Sequence, residues 1–194
     1  MATLFVDKID PQSGTSLEIG SSGDTITIPA GATIVNSGTQ TGFGGTNTPM
    51  FMAAYTGPGV TINDATETKG TFDTEFIDVG SVYNTSTSRY TPGFVGKSFI
   101  STGMSFYNSA AQMQFAKVFF YKNGASLTNA TDNPANDTGQ IWISSQLIVD
   151  HNATDYFEVY LRSDTSNGSA IEVPATSGNS AKPFNYFQGY KLIT

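Results

Sequence analysis

The side chains best suited to catalysis are a few carboxylates that would act in pairs on a glycosidic bond. The candidates are Asp73 with Glu75 or Asp78, and Glu158. A glycosidase uses one carboxyl group as an acid and a second as a nucleophile or base. The spacing singles out no such pair, and on a strand Asp73 and Glu75 lie on one face. We interpret them as solvated polar positions and predict no catalytic residues.

The single histidine, His151, lies between Asp150 and Asn152 in a sequence typical of a turn between two strands. No Gly-x-Ser-x-Gly motif supplies a nucleophilic serine. The absence of cysteine excludes thiol catalysis and thiolate metal sites. We therefore predict that His151 is a solvated loop residue.

Residues 129–138 concentrate the oxygen donors that calcium prefers, including the carboxylates of Asp132 and Asp137. The 12-residue calcium loop with glycine at its sixth position is absent. We predict an ordinary Asn/Asp turn, no metal site and no cofactor, with Asp132 and Asp137 as the alternative calcium ligands. Glycine-rich residues 42–45 lack the Lys-Ser/Thr of a phosphate loop, so we predict no nucleotide site.

Charge and hydropathy restrict the partners. The 194 residues include 9 basic and 16 acidic side chains, for a net charge of -7, whereas a nucleic-acid binder carries a basic patch. No apolar run is long enough to span a membrane, and the first residues lack the basic and apolar regions of a signal peptide. We predict no nucleic-acid partner, no membrane insertion and synthesis in the cytoplasm.

The elements that would position these residues are strands. Residues 49–194 contain about eight to ten strand-like runs separated by turn signals, and no stretch has a helical period. Residues 97–107 alternate apolar and small side chains, which predicts a half-buried strand. Asn123-Gly124 predicts a tight hairpin turn. This pattern predicts an all-β sandwich.

Several of these strands are apolar on both faces, notably those around residues 114–121 and 156–161. A two-layer sandwich covers only the inner face of each sheet. We infer a homo-oligomer in which another copy covers the second face. The seam candidates are Phe119, Tyr121, Tyr156 and Tyr160. The alternative is an outer face with scattered exposed aromatic side chains.

Residues 1–35 have a different pattern, in which short alternating runs are separated by Gly14, Gly23 and Gly31. Each unit predicts a turn and a strand too short to bury anything alone, as in a stalk wound from several chains. Residues 36–48 are rich in Gly, Ser and Thr and predict a linker. The predicted organisation is a β stalk or attachment segment at 1–35, a linker at 36–48 and a head at 49–194.

Three motifs of the head occur in the same order as in a known family. Tyr90-Thr-Pro92, a strand that ends in Lys122-Asn-Gly124, and the closing Phe187-Gln-Gly189-Tyr190-Lys-Leu192 resemble segments of the C1q-like/tumour-necrosis-factor jelly-roll family. Ser98 departs from the aromatic residue usual in that pattern. The resemblance implies a ten-stranded jelly roll that trimerises around a three-fold axis, usually at the end of a stalk, and binds ligands through exposed loops.

The N-terminal segment has a resemblance of its own. Asp7-Lys-Ile9, with the glycine-spaced repeats that follow, is similar to the start of bacteriophage fibre and tail-associated proteins, particularly those of marine phages. This resemblance implies a location on the virion after assembly in the host cytoplasm.

Together these features predict a non-enzymatic virion structural protein, a homotrimeric phage fibre or tail tip that binds a host-surface glycan or protein. Recognition is expected in loops 85–90, 129–138 and 163–180, and residues 1–35 are expected to bind other virion proteins. One alternative is a capsid decoration or head-fibre protein. A more remote alternative is a small polysaccharide depolymerase.

Overall fold

The computed structural model describes residues 8–35, 37–38, 47–57, 60–110, 112–134, 136–174 and 185–193. The chain divides into two units, residues 1–43 and 44–194. These described ranges contain no helix, and therefore none that is long and apolar enough to cross a membrane.

The second unit is a sandwich of two antiparallel sheets, as the all-β prediction requires. The first sheet has the order β2 (Val60–Ile62), β12 (Ile171–Val173), β7 (Gly96–Tyr107), β13 (Tyr186–Lys191), β1 (Met50–Ala54) and β4 (Thr74–Val79), with β10 (Gln140–His151) also paired to β7. The second sheet has the order β5 (Tyr83–Asn84), β6 (Arg89–Tyr90), β11 (Phe157–Thr165), β8 (Met113–Lys122) and β9 (Ala125–Asp132), with β3 (Thr68–Lys69) also paired to β11.

The described residues thus contain thirteen strands, more than the eight to ten that the sequence predicts. Three of them, β3, β5 and β6, are only two residues long. Such short pairings have no alternation to detect, because a period of two needs several residues to be visible. They matter for function, since β3 and β6 both pair with the edge of β11 that β8 leaves open.

The core lies between the inner faces of the two sheets and is rich in aromatic rings. Phe51 stacks on Tyr83 and Tyr90 with centroid distances of 4.9 and 4.6 Å, and meets Phe187 edge-on at 4.9 Å. The inward positions of β11 are those that the alternation predicts, with Phe157, Val159 and Leu161 buried. Offset and edge-on ring pairs of this kind add to the free energy gained by burial.

The prediction that residues 97–107 form a half-buried strand is wrong, because eight of the twelve residues of β7 are buried and they lie on both faces. This strand lies between β10 and β13, so both of its edges are covered. On its outer face the aromatic ring of Tyr186 lies over Gly103, so close that a Cβ atom there would be 2.5 Å from Tyr186 Cε1. Small side chains on this face indicate packing under a neighbouring ring rather than exposure to solvent.

The hairpin between β8 and β9 confirms the predicted Asn-Gly turn. Asn123 and Gly124 both have positive φ angles, 53° and 79°, as a type I′ turn requires. The backbone N–H of Asn123 donates to the Tyr156 carbonyl at 3.0 Å, and Asn123 Oδ1 accepts from the Tyr156 N–H at 3.0 Å. The turn therefore also fixes the start of β11.

In the first unit, residues 8–35 form turns and bends joined by segments without assigned secondary structure. The Asp24 N–H donates to the Ser21 carbonyl at 2.9 Å, and Asp24 Oδ2 accepts from the Ser21 N–H at 2.7 Å. Gly14, Gly23 and Gly31 have positive φ, which fits their predicted places in turns. Seven large aliphatic side chains here are exposed: Ile9, Leu17, Ile19, Ile26, Ile28, Ile34 and Val35. The stalk stays a prediction, and most of the linker at 36–48 lies outside the described residues.

Candidate functional site

The outer face of the second sheet brings together aromatic and basic side chains. Strand register places Tyr121 beside Glu158, Phe119 beside Tyr160, and Lys117 beside Arg162. Lys69 of β3 lies beside Tyr160 on the other edge of β11. We call this surface the aromatic face and define it by these residues: Lys69, Arg89, Phe115, Lys117, Phe119, Tyr121, Tyr156, Tyr160 and Arg162.

All four seam candidates lie on the aromatic face. Tyr121 stacks on Tyr160 with a centroid distance of 4.1 Å and meets Phe119 edge-on at 6.3 Å. The guanidinium of Arg89 covers the ring of Tyr156 at 4.1 Å. Phe119 is already buried within one chain, and the three tyrosines are half-buried. Their assignment to a seam between copies stays a prediction.

Glu158, one of the candidate catalytic carboxylates, is the buried anchor of this face. Only 2% of it is exposed, and its Oε1 accepts from Lys69 Nζ at 2.5 Å and from Arg89 Nε at 2.8 Å. Burial raises the pKa of Glu158, but the bonds from Lys69 and Arg89 outweigh it and hold the pKa below its ordinary value. An ionised carboxylate held by two cations is poorly suited to act as a general acid.

A second carboxylate, Glu67, accepts a hydrogen bond from the Tyr121 hydroxyl. That bond, with burial as the smaller cause, raises the pKa of Tyr121 to about 12. The Tyr121 ring is therefore fixed from two directions, by its stacking on Tyr160 and by its hydroxyl. The aromatic face is a preorganised surface rather than a set of loose side chains.

The outer face of the first sheet has a different character. One row of side chains crosses five neighbouring strands in register: Val79, Met50, Tyr190, Phe99 and Ile148. Its two ends are the most open, because Val79 is 45% and Ile148 60% exposed. We call these five residues the apolar row.

Further apolar side chains extend the surface around the apolar row. Ile77 is 44% exposed, and Trp142 of β10 is 52% exposed. A groove of about 260 Å³ lies beside the row, lined by Met50, Met52, Ile77, Gln188 and Tyr190 among others. Sequence reasoning missed this surface because its members come from five separate strands. Each one alone is an unremarkable exposed residue.

The prediction that His151 is a solvated loop residue is wrong. It is the last residue of β10 and only 5% exposed. Its Nδ1 donates to the Phe94 carbonyl at 3.1 Å, so its Nε2 accepts from Ser98 Oγ at 2.8 Å. Ser98 Oγ also lies 2.8 Å from the hydroxyl of Tyr90. Because His151 shares the inward parity of Val149, extending the predicted strand by two residues would have located it.

This Tyr90–Ser98–His151 chain has a structural rather than a catalytic geometry. Ser98 is completely buried, so its hydroxyl is closed to a substrate. Burial lowers the pKa of His151, more than its hydrogen bond to the Phe94 carbonyl raises it. The imidazole is thus a neutral link between β7, β10 and the Phe94 loop.

Two of the remaining carboxylate candidates, Asp73 and Asp78, accept hydrogen bonds from the backbone. Asp73 Oδ1 accepts from the Thr56 N–H at 2.9 Å, and Asp73 precedes β4, so the predicted shared strand face with Glu75 is absent. Asp78 Oδ1 accepts from the Val82 N–H at 2.9 Å. The Asp78 bond closes a turn, and the Asp73 bond joins the segment after β1 to the start of β4, so both aspartates have structural roles.

The predicted recognition loops are partly strand, and in loop 85–90 the last two residues form β6, with Tyr90 completely buried. Residues 129–132 belong to β9, so the prediction of a loop over all of 129–138 is wrong, and residue 135 lies outside the described residues. Residues 163–180 include the end of β11 and all of β12, with 175–180 outside the described residues. Asp132 and Asp137 are exposed, and among the described residues no cluster of three or more His, Asp or Glu can hold a metal.

Comparison with known proteins identifies the fold. No protein-family model matches the chain, and neither does any curated protein sequence. The head is similar to the globular domain of zebrafish complement 1qA protein, at 12% identity over 75% of this chain and 98% of that one, with a TM-score of 0.50. It is also similar to the Eiger TNF of S. frugiperda, at 13% identity over 74% and 93% of the two chains and a TM-score of 0.51. Murine APRIL gives 11% identity, 74% and 98% coverage and a TM-score of 0.53. The fold is the C1q/TNF-like jelly roll that the sequence motifs predict.

Proposed function

We propose that the chain is a non-enzymatic homotrimeric virion protein, a fibre or tail tip whose jelly-roll head binds a host-surface ligand. The observation that carries the trimer is the apolar row on the outer face of the first sheet. A continuous apolar surface of this kind on a soluble chain marks an interaction site. The family resemblance implies that the partner is a second and a third copy.

The apolar row suits a seam between copies better than the aromatic face does. Its side chains are aliphatic or aromatic, and Val79 and Ile148 gain the most from losing contact with water. The aromatic face instead contains the ion cluster of Lys69, Arg89 and Glu158. Burying Lys69 and Arg89 against another copy would add a desolvation cost of several kcal/mol per ion unless new partners compensate. We therefore place the seam on the first sheet, which leaves the half-buried Tyr121, Tyr156 and Tyr160 uncovered.

A binding role agrees with the contacts of the candidate catalytic groups, which stabilise the fold. Glu158 is held ionised by two cations, and His151 is buried between strands. Asp78 closes a turn, and Asp73 joins the segment after β1 to the start of β4. The virion assignment rests on the resemblance of the first residues to phage fibre proteins. The exposed aliphatic side chains of residues 8–35 suit docking to other chains.

The test is binding and competition with the purified full-length chain. Labelled protein is added to a panel of marine bacteria, and unlabelled protein is added before infection by a phage that carries this chain. Specific cell binding that blocks infection supports the receptor-binding role. A protein that is present on virions but binds no cell and blocks no infection would instead support capsid decoration. Release of reducing sugar from host polysaccharide would support the depolymerase and contradict the proposal.

A further inference from the structure

The aromatic face carries a group of charged side chains that take no part in the proposed seam on the first sheet. Two pairs of cations lie on either side of its central rings. On one edge of β11, Lys69 lies beside Tyr160 and Arg89 binds Glu158, and Arg162 and Lys117 lie further along β11 and β8. These four cations are a large share of only 9 basic side chains in a chain with a net charge of -7.

The carboxylates near these cations leave part of the positive charge unpaired. Glu158 is 2% exposed and uses one oxygen for both Lys69 and Arg89. Glu67 accepts from the Tyr121 hydroxyl, and Asp164 lies on β11 beside Phe115. Arg162 Nε has no hydrogen-bond partner among the described residues.

Arg89 is the best positioned of the four cations to hold an anion. Its Nε donates to Glu158, and its guanidinium carbon lies over the Tyr156 ring, 4.1 Å from the ring centroid. A guanidinium fixed in this way still presents its terminal amino groups as a fork that matches a carboxylate. Little side-chain freedom remains to be lost when an anion binds, which favours affinity.

The spacing of the cations favours an extended ligand. Arg89 and Lys117 are two strand spacings apart across the sheet, about 10 Å, and four residues apart along it, about 13 Å. The half-buried rings of Tyr121 and Tyr160 lie between them. A single small anion spans neither distance, whereas a chain of rings with regularly placed charges spans both.

We propose that the aromatic face binds an acidic polysaccharide, with sugar rings on Tyr160 and Tyr121 and uronate carboxylates on Arg89 and Arg162. This inference deepens the proposed function, on which it rests, by naming the class of surface ligand. Nucleic acid also combines rings with anions, but it carries a far denser charge that a chain of net charge -7 repels. A polysaccharide with at most one carboxylate per ring fits the charge balance better.

The experiment is calorimetric titration of the full-length chain with an oligogalacturonate, a neutral maltooligosaccharide of equal length and a single-stranded DNA oligonucleotide. We expect binding of the oligogalacturonate alone. Arg89→Lys keeps the charge beside Glu158 but loses the fork, and Arg162→Gln removes a cation on the other side of the central rings. Each is expected to weaken binding about tenfold.

The matched control is Lys97→Gln, which removes one charge from the first sheet and should change the affinity less than about twofold. Thermal unfolding of each variant checks that the head remains folded. Absence of oligogalacturonate binding, equal binding of the DNA, or equal loss in Lys97→Gln would each overturn the proposal. If the chain binds cells and blocks infection but does not bind oligogalacturonate, the receptor-binding function stands and only this ligand class is wrong.

Discussion

Replacing His151 tests whether its buried hydrogen bonds stabilise the head. His151→Ala removes the bonds to Ser98 and to the Phe94 carbonyl, at 2.8 and 3.1 Å. It also removes edge-on ring contacts with Phe94 and Phe157, at 4.7 and 5.9 Å. Two hydrogen bonds at about 1 kcal/mol each and the ring contacts at about 1 kcal/mol together predict a loss of about 3 kcal/mol in the free energy of unfolding. For a head of this size that lowers the midpoint of thermal unfolding by roughly 6 to 12 °C.

The pH dependence of the free energy of unfolding distinguishes the loss of a buried, neutral imidazole from a mere loss of side-chain volume. Burial lowers the pKa of His151 in the folded head, so the unfolded chain binds the proton first as pH falls. The stabilisation is complete above about pH 6.5 and declines as pH falls toward the folded pKa, by at most about 1.4 kcal/mol per pH unit. Because the chain has one histidine, His151→Ala should lose this slope.

The assay for both effects is urea unfolding followed by tryptophan fluorescence, at a series of pH values between 5 and 8. The control is Asn152→Ala, which changes an exposed neighbour of His151 and should keep the stability and slope of the wild type. A wild type whose stability is flat across this range would refute the buried, neutral imidazole. So would a His151→Ala chain as stable as the Asn152→Ala control.

Three further predictions concern backbone and loops. Gly189→Ala should cost about 2 kcal/mol in urea unfolding, because the new Cβ would lie 2.9 Å from the Phe99 carbonyl oxygen, and an unchanged midpoint would contradict that packing. Gly124→Ala should cost about 1 kcal/mol in the same assay, since its φ of 79° disfavours any side chain, and a more stable variant would argue against the type I′ turn. Calcium chloride should leave the midpoint of thermal unfolding unchanged if residues 129–138 form an ordinary turn; a rise that disappears in Asp132→Asn/Asp137→Asn would establish a calcium site instead.

Local sequence patterns predicted the features that are themselves local. The alternation of β11 placed Phe157, Val159 and Leu161 in the core, and Asn123-Gly124 gave the hairpin turn. Three short motifs sufficed for the jelly-roll fold, which the similarity to solved C1q and TNF heads confirms. These features depend on residues within one strand or one turn, where side-chain period and backbone preference act directly.

The features that sequence reasoning missed depend on pairing between distant segments. Glu158 binds Lys69 and Arg89, which lie 89 and 69 residues before it in the sequence and belong to strands of only two residues. The apolar row is assembled from five strands, and its continuity depends on their register. His151 was assigned to a turn because Asp150 and Asn152 on either side are polar, although strand parity directs its ring inward.

The most direct test of the central claim is sedimentation equilibrium of the full-length chain at micromolar concentration, beside Ile148→Asp and Lys117→Glu. The account predicts a trimer, with a mass about three times the 20.6 kDa of one chain. It also predicts that Ile148→Asp, in the apolar row, shifts the chain to monomers while Lys117→Glu, on the aromatic face, leaves the trimer intact. A monomeric wild type, or a trimer that only Lys117→Glu disrupts, would contradict it.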